Sequence, residues 1–170
     1  MIHLASPNSK SFLSQFDPNQ VQPNAIDLRI DKLYAFDMDT TFELGELDDG
    51  TEHKKHIKIH ECKPNKDGWW QLNMPCYQIV FEGNITVGED EAGFIITRST
   101  LNRNGLMVRS GLYDSGYSGV MAGFLDNKFG TAKIKRGARL GQFLLFKAES
   151  LSQYDGDYGT GKTHDEKYGE

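Results

Sequence analysis

A glycine-rich stretch near the end of the chain has the residue types of a phosphate-binding loop. Residues 156–163 read Gly-Asp-Tyr-Gly-Thr-Gly-Lys-Thr, which satisfies the G-x-x-x-x-G-K-[ST] pattern. Such a loop needs a strand directly before it and a helix directly after it, whose first N–H groups point at the phosphates. The last apolar run ends near Phe146 and only seven residues follow Thr163. We therefore predict no helix here and interpret the stretch as a flexible flap whose Lys162 could close over phosphates.

Two aspartates that follow an apolar run suggest a different phosphate chemistry. Asp37 and Asp39 flank a single residue, Met38. Phosphatases of the haloacid dehalogenase type use this order for a nucleophile and a general acid. That chemistry uses a parallel sheet covered by crossover helices, and the sequence predicts no such helices. An edge strand that runs into an acidic turn is the preferred interpretation.

Three histidines and a cysteine lie close together in the sequence and are residue types that bind zinc. They are His53, His56, His60 and Cys62. Strand alternation places His56 and His60 on one face and His53 on the other. No second pair of ligands has the spacing of a zinc finger. We interpret the segment as a strand that faces solvent.

Basic side chains concentrate in one segment of an acidic chain. The net charge of −5 argues against a general nucleic-acid binder. Residues 98–147 carry nine basic and two acidic side chains, a net charge of +7, whereas the rest of the chain carries −12. An acidic protein with one basic segment suits a small anionic ligand in a focused site. The alternative is that these charges are spread over a solvated face.

The elements that must position these side chains are predicted to be short strands. Helical periodicity is nearly absent after the first twenty residues, and runs of β-branched and aromatic residues alternate with Gly, Asn and Asp. The predicted strands lie near residues 25–30, 33–37, 56–61, 77–82, 84–87, 92–98, 105–108, 117–125, 131–135 and 138–147. Residues 99–104 are predicted to form a short helical turn and residues 45–55 an exposed loop. We expect one β domain over residues 1–152 and a flexible tail over residues 153–170.

Length and composition set the class of protein. A chain of 170 residues is long enough for one domain with its own core. The apolar runs are too short to span a membrane, and the first residues lack the pattern of a secretory signal. Cys62 and Cys76 make no disulfide framework, and we interpret them as reduced thiols. We therefore expect a cytoplasmic protein with no membrane partner.

Four ordered segments carry a further pattern. They are Gln22–Arg29, Thr97–Leu106, Ser110–Gly119 and Lys135–Gln142. With the glycine-rich tail, they make the chain resemble the superfamily of trimeric dUTPases and dCTP deaminases. The resemblance spans residues 22–147, and residues from about 40 to 75 match nothing in it. It implies an all-β distorted jelly roll that assembles as a homotrimer, with each active site taking segments from more than one subunit.

The third segment holds the residues that the resemblance assigns to water, sugar and base. Asp114 matches the carboxylate that acts as general base on water. Tyr117 matches the ring beneath the deoxyribose, where a ribose 2′-hydroxyl would clash. Backbone groups around Gly111, Leu112 and Tyr113 would read the uracil. From the residues alone, a simple turn former is the preferred interpretation of Asp114, and the alternative for Tyr117 is a core aromatic of a strand.

The second and fourth segments hold the expected phosphate ligands. By resemblance, Arg98, Ser99 and Thr100 belong to the phosphate-binding turn. A hydroxyl and backbone N–H groups at the start of a helical turn suit oxyanions. Arg103 adds a cation that can bind phosphate oxygens bidentately. Gln142 matches the amide that contacts the α-phosphate region.

The resemblance also assigns a metal and a closing segment. Asp27 matches the carboxylate that holds Mg²⁺ through its water shell, because Mg²⁺ keeps several waters and bridges phosphates. The alternative is a surface carboxylate on a strand. In the tail, Tyr158 and Lys162 resemble the segment that covers the nucleotide, and Tyr158 would stack on the base.

The two branches of the superfamily differ at one position. Leu101 and Arg103 look more like the deaminase branch, which uses a glutamate as general acid and base on the strand after Gly119. In this chain that position is Phe124, which cannot move a proton. The nearest carboxylate on the strand is Asp126, two residues along.

We therefore expect a Mg²⁺-dependent hydrolase that converts dUTP and water into dUMP and diphosphate. One alternative is deamination of dCTP to dUTP. The other is a deoxynucleotide-binding protein of the same fold that does not turn its ligand over. The sequence does not separate dUTP from a modified pyrimidine nucleotide.

Overall fold

Antiparallel strands are the main secondary structure of the chain in a computed structural model that describes residues 1–128 and 130–168. The strands are β1 (Phe12–Leu13), β2 (Ile26–Phe36), β3 (Glu43–Glu46), β4 (Glu52–Lys55), β5 (Ile59–Glu61), β6 (Trp69–Leu72), β7 (Cys76–Thr86), β8 (Glu91–Thr97), β9 (Leu106–Arg109), β10 (Ser118–Asn127), β11 (Ala132–Lys135) and β12 (Arg139–Lys147). The helical elements are a 3₁₀ turn (Pro18–Gln20), α1 (Ser99–Asn102) and α2 (Thr163–Glu166). The predicted all-β class is confirmed.

The main sheet curls until its two outer strands meet. Its order is β8-β12-β2-β7-β10-β9, with β1 added on β7 and β5 on β2. The Thr97 hydroxyl on β8 accepts from the Val108 N–H at 2.7 Å and donates to the Val108 carbonyl at 2.9 Å. Near the start of β8, Gly93 and Tyr113 exchange two backbone hydrogen bonds. The result is a barrel-like β fold.

Apolar residues at alternate positions of the central strands form the core. On β2, Ile26, Leu28 and Ile30 are buried, and on β12 Phe143 and Leu145 pack against them. A period of two puts such residues on one face of a strand, so each strand turns an apolar row inward. The polar residues between the apolar ones on β12, and those at the strand ends, lie outside this apolar row. They can therefore form binding sites.

The structure joins predicted strands that the sequence separates. The strands predicted at 25–30 and 33–37 are one strand, β2, with a register shift between Ile30 and Lys32. The strands predicted at 77–82 and 84–87 are likewise β7, which includes Gly83 at a φ of 78°. A glycine adopts this conformation without strain, so it bends a strand rather than ending it.

Two expectations about loops are wrong. The predicted loop at 45–55 includes the end of β3 and all of β4, which pair as an exposed hairpin. A helix does follow the phosphate-loop pattern, since α2 begins at Thr163, but it is only four residues long. No strand lies between Lys147 and α2 in this described stretch. The strand–loop–helix unit of a phosphate-binding loop is therefore incomplete.

The histidines of the predicted strand have separate partners. His53 pairs with Glu43 on the hairpin at 3.0 Å, and His60 pairs with Asp37 at 3.3 Å. Asp37 lies in the turn after β2, as the interpretation of an acidic turn expects. Within the described residues, no helix combines the length and apolar character needed to cross a membrane.

Candidate active site

A cavity of about 760 Å³ lies where the loop after β9, strand β10 and the tail come together. Of the predicted site residues, it is lined by Gly111, Tyr113, Tyr117 and Tyr158. Cavities of this size are typical of small-molecule sites, which combine apolar walls with a few polar groups. The structure thus brings together the residues that the resemblance assigns to base and sugar.

Two buried tyrosines form the inner wall of the cavity. The Tyr113 hydroxyl donates to the Ala122 carbonyl at 3.0 Å, and the Tyr117 hydroxyl donates to the Val120 carbonyl at 2.8 Å. Their rings meet edge to face with centroids 5.2 Å apart. Burial raises the pKa of both hydroxyls above the ordinary value of 10. Both phenols are therefore neutral, fixed surfaces for a ligand at neutral pH.

Asp114 projects from a turn that is fastened at several points. The Tyr117 N–H donates to the Asp114 carbonyl at 3.0 Å, and Gly116 takes a φ of 85° in this turn. The buried Ser115 hydroxyl donates to the Glu91 carbonyl at 2.7 Å. The Asp114 side chain itself is exposed and does not line the cavity. A rigid turn therefore presents a water-accessible carboxylate beside Tyr113.

The predicted phosphate turn follows the other end of β8. Arg98 is the N-cap of α1, and Ser99 and Thr100 are exposed in its first turn. The first amides of a helical turn have no partner within the helix, so they are available to an anion. Arg103 is exposed at the end of the turn. Hydroxyl, amide and guanidinium donors thus occupy one short stretch of surface.

Asp27 lies in a buried ionic cluster behind this turn. Its carboxylate is 0% exposed and is paired with Arg98 at 3.1 Å and Arg139 at 3.3 Å. The Gln142 amide donates to the other carboxylate oxygen at 3.0 Å. Gln20 donates to the Asp27 backbone carbonyl at 2.7 Å. The cluster holds one carboxylate against two guanidiniums, so it keeps a net positive charge.

This burial corrects the magnesium role predicted for Asp27. A carboxylate that holds Mg²⁺ through water must contact water. The Asp27 carboxylate has no exposed surface, and two guanidiniums and an amide already surround it. These residues do not fit a magnesium site in this chain. Asp27 instead orients Arg98 and Arg139.

The two halves of the predicted site lie apart on one chain. Tyr113 pairs with Gly93 near the start of β8, whereas Arg98 and Ser99 follow Thr97 at its end. Four residues of a strand span about 13 Å. The cavity described above, here called the aromatic cavity, is lined by none of the residues predicted to bind phosphate. These are Arg98, Ser99, Thr100, Arg103 and Gln142.

The tail packs over the cavity in this structure. Tyr158 lines the cavity, and the Asp165 carboxylate lies 3.5 Å from the Tyr117 hydroxyl. Tyr168 is buried at 5% exposure. Lys162 pairs with Asp155 at 3.6 Å and does not line the cavity. The flexibility predicted for residues 153–170 stays a prediction, and residues 169 and 170 lie outside the described part.

Several cavity residues were not predicted as site residues. Phe36 lies just before residues 40–75, which the resemblance left unmatched, and Phe42 and His56 lie within them, whereas Asp165 comes from the tail. No spacing signal in the sequence joins these distant segments. Arg139 was equally missed, although its place three residues before Gln142 puts it on the strand that faces Asp27.

Comparison with known proteins supports the resemblance. Residues 3–148 match the family described as dCTP deaminase-like. The chain belongs to the dCTP deaminase-like family. A relative from Halobacterium salinarum named probable deoxyuridine 5′-triphosphate nucleotidohydrolase is 30% identical over 143 residues, which cover 82% of this chain and 83% of the relative.

Members of both branches are similar to this dCTP deaminase-like chain. A dUMP-forming dCTP deaminase from Pseudarthrobacter chlorophenolicus is 28% identical over 155 residues, covering 86% of this chain and 78% of the relative. The crystal structure of the 2′-deoxycytidine 5′-triphosphate deaminase from Agrobacterium tumefaciens superposes with a TM-score of 0.59 at 18% identity. That alignment covers 84% of this chain and 45% of the solved one. At this identity the structural likeness establishes the fold alone.

Proposed function

We propose that this protein hydrolyses dUTP to dUMP and diphosphate. The Halobacterium salinarum relative, whose name states this activity, supports the proposal. The observation that carries it is the exposed carboxylate of Asp114 on a fixed turn beside the aromatic cavity. A general base must have access to water and be held in place by its surroundings.

In the proposed reaction, Asp114 takes a proton from a water molecule. The water oxygen then forms a bond to the α-phosphorus. The bond from that phosphorus to the bridging oxygen breaks, and diphosphate leaves with the electron pair. Ser99, Thr100 and Arg103 bind the phosphates, and Arg98 is held in position by Asp27. These donors neutralise the charge that develops on the phosphate oxygens.

The aromatic cavity receives the nucleoside in this proposal. Tyr117 packs against the deoxyribose, and backbone groups at Gly111 and Tyr113 read the base. Tyr158 covers the base, and Lys162 approaches the phosphates when the tail closes. Gln142, which donates to Asp27 in this structure, would turn its amide towards the α-phosphate region.

The complete site requires more than one copy of the chain in this proposal. We propose a homotrimer in which the turn that carries Asp114 on one subunit faces the Ser99 turn of another. The separation of these turns along β8 supports this arrangement. Mg²⁺ would arrive with the triphosphate substrate and help to neutralise its charge, and Asp27 would not hold it. We place the enzyme in the cytoplasm, where deoxynucleotides are made.

Deamination of dCTP is the second candidate, favoured by the dCTP deaminase-like family and by the dUMP-forming relative. The chemistry of the cavity weighs against it. Phe124, at the position of the deaminase glutamate, lines the cavity and packs against Phe36 at a centroid distance of 6.1 Å. Asp165 is the carboxylate that the described cavity offers, and it belongs to the tail.

One assay separates the candidates. The unaltered protein is incubated with Mg²⁺ and either dUTP or dCTP, and diphosphate and ammonia are measured separately. We expect diphosphate from dUTP and no ammonia from dCTP. Ammonia from dCTP would contradict the proposal in favour of deamination. Binding of dUTP with neither product would leave a nucleotide-binding protein without turnover.

A further inference from the structure

The region that matches nothing in the resemblance supplies one wall of the aromatic cavity. Residues 40–58, here called the insert arm, contain the β3–β4 hairpin and the stretch that leads to β5. Phe42, His56 and Ile57 of the insert arm line the cavity. The opposite lining includes Tyr158 and His164 of the tail. The insert arm and the tail therefore meet at the cavity.

An ion pair fastens the insert arm to the tail. Lys54 Nζ lies 2.9 Å from Asp157 Oδ2 and 3.0 Å from Glu52 Oε2. The Lys54 side chain is 25% exposed, less than the 57% of its neighbour Lys55, which pairs with Glu43 inside the hairpin. The hydrogen bonds from Lys54 to Asp157 and Glu52 raise its pKa, so it stays charged at neutral pH.

A ring contact lies beside the ion pair. The rings of His56 and His164 have centroids 4.5 Å apart, and Tyr158 meets His164 edge to face at the same distance. Burial, together with the charge of Lys167 and the nearby His56, lowers the pKa of His164 to about 4. His164 is therefore neutral at pH 7, and its ring packs without placing a second cation beside Lys54.

The docked tail leaves room beneath it. The cavity of about 760 Å³ exists with the tail in place, and this volume suffices for a small-molecule ligand. The tail is also tied to β10 by a hydrogen bond from the Thr160 N–H to the Ser118 carbonyl at 2.7 Å. The tail therefore covers the cavity as a roof without filling it.

We propose that the insert arm is the anchor of the tail, with Lys54 and His56 as positioning residues that hold the tail as a roof over a nucleotide. The identity of the ligand rests on the proposed function, whereas the anchor itself does not. A preformed roof lowers the ordering cost that the tail would otherwise add to binding. Loss of the anchor is therefore expected to weaken binding more than it slows chemistry.

The first test measures access to the tail in the full-length protein without nucleotide. Chymotrypsin cleavage after Tyr158 is followed by mass spectrometry in the unaltered protein, in Lys54→Met and in the control Lys55→Met. We expect Lys54→Met to speed cleavage about threefold, the scale of one surface ion pair, and Lys55→Met to leave it unchanged. Equal rates in all three proteins would overturn the anchor, and so would equal acceleration in both variants.

A charge exchange tests the pairing itself. Lys54→Glu should speed cleavage, and the double variant Lys54→Glu with Asp157→Lys should restore slow cleavage by reforming the pair in reverse. A general loss of structure in the hairpin would not be rescued in this way. Failure of the double variant to restore slow cleavage would therefore count against the anchor.

The second test is kinetic. Lys54→Met should raise KM for dUTP about threefold with little change in kcat, and Lys55→Met should change neither. Faster cleavage with an unchanged KM would overturn the role of the roof. An unaltered protein that makes no diphosphate from dUTP would refute the proposed function, whereas the cleavage comparison, which uses no nucleotide, would still decide the anchor.

Discussion

At the scale of single residues, Asp27 shows how burial changes the role expected of a residue that matches a family position. Its buried carboxylate lies against two partly exposed guanidiniums and offsets one of their two charges, so Asp27→Asn leaves both charges of Arg98 and Arg139 uncompensated. Breaking a buried ion pair in this way costs about 3 kcal/mol. Denaturant unfolding should show this loss. The control is Asp17→Asn, for which a smaller loss is expected because the Asp17 side chain, which pairs with Arg29, is 44% exposed. Equal losses in the two variants would contradict the account of the cluster.

Glu91 is the other fully buried carboxylate of the described core, and the stability that it contributes depends on pH. Burial alone would raise the pKa of Glu91, but hydrogen bonds from Lys147, the Ser11 hydroxyl and the Lys10 amide lower it to about 2. A lowered pKa stabilises the fold above the ordinary value of 4.5, and this stabilisation is lost as the pH falls from 4.5 through 2.

Glu91→Gln should therefore lower the free energy of unfolding by about 2–3 kcal/mol at pH 7. The difference from the unaltered protein should narrow below pH 4.5. Urea unfolding at pH 7 and pH 3 measures both values, and the exposed Glu89→Gln is the control. A difference that stays constant between the two pH values would contradict the assigned role.

At the scale of elements, the tail depends on a glycine in β10. A Cβ on Gly119 would lie 2.6 Å from the Gly159 Cα and 2.9 Å from the Tyr117 hydroxyl, so the tail crosses β10 where no side chain is tolerated. Gly119→Ala should displace the tail and speed chymotrypsin cleavage after Tyr158 by about tenfold. The control is Gly45→Ala, where open space surrounds the added carbon. Slow cleavage in Gly119→Ala would show that the tail is not held against this strand.

The element scale also shows what could be predicted from the sequence. Alternating apolar residues predict most strands of the main sheet, because the face of a strand is a local property. Local signals miss the continuity of β7 through Gly83 and the pairing of β3 with β4, since both depend on partners elsewhere in the chain. The docking of the tail and the burial of Asp27 also depend on contacts between residues that are far apart in the sequence. The candidate site could be predicted where its segments match a family, but not where the insert arm and the tail complete it.

At the scale of the whole molecule, the separation of the Ser99 turn from the Asp114 turn predicts complementation between copies. Ser99→Ala and Asp114→Asn should each be inactive alone. Trimers refolded from equal amounts of the two chains should regain about a quarter of the unaltered activity. A shared site is intact only when Asp114 comes from the Ser99→Ala chain and Ser99 comes from the Asp114→Asn chain, and random assembly gives this combination at about one site in four. Light scattering checks the trimer. An inactive mixture of correct mass would contradict a site shared between subunits.

The most direct measurement of the central claim is the formation of diphosphate from dUTP by the unaltered protein and by Asp114→Asn. The exchange keeps the shape of the side chain but removes the basic oxygen, so we predict a fall in kcat of about 10²- to 10⁴-fold with an unchanged fold. Asp48→Asn, in an exposed turn of the hairpin, should keep full activity. Diphosphate formation by Asp114→Asn at the unaltered rate would contradict the assignment of Asp114 as the general base.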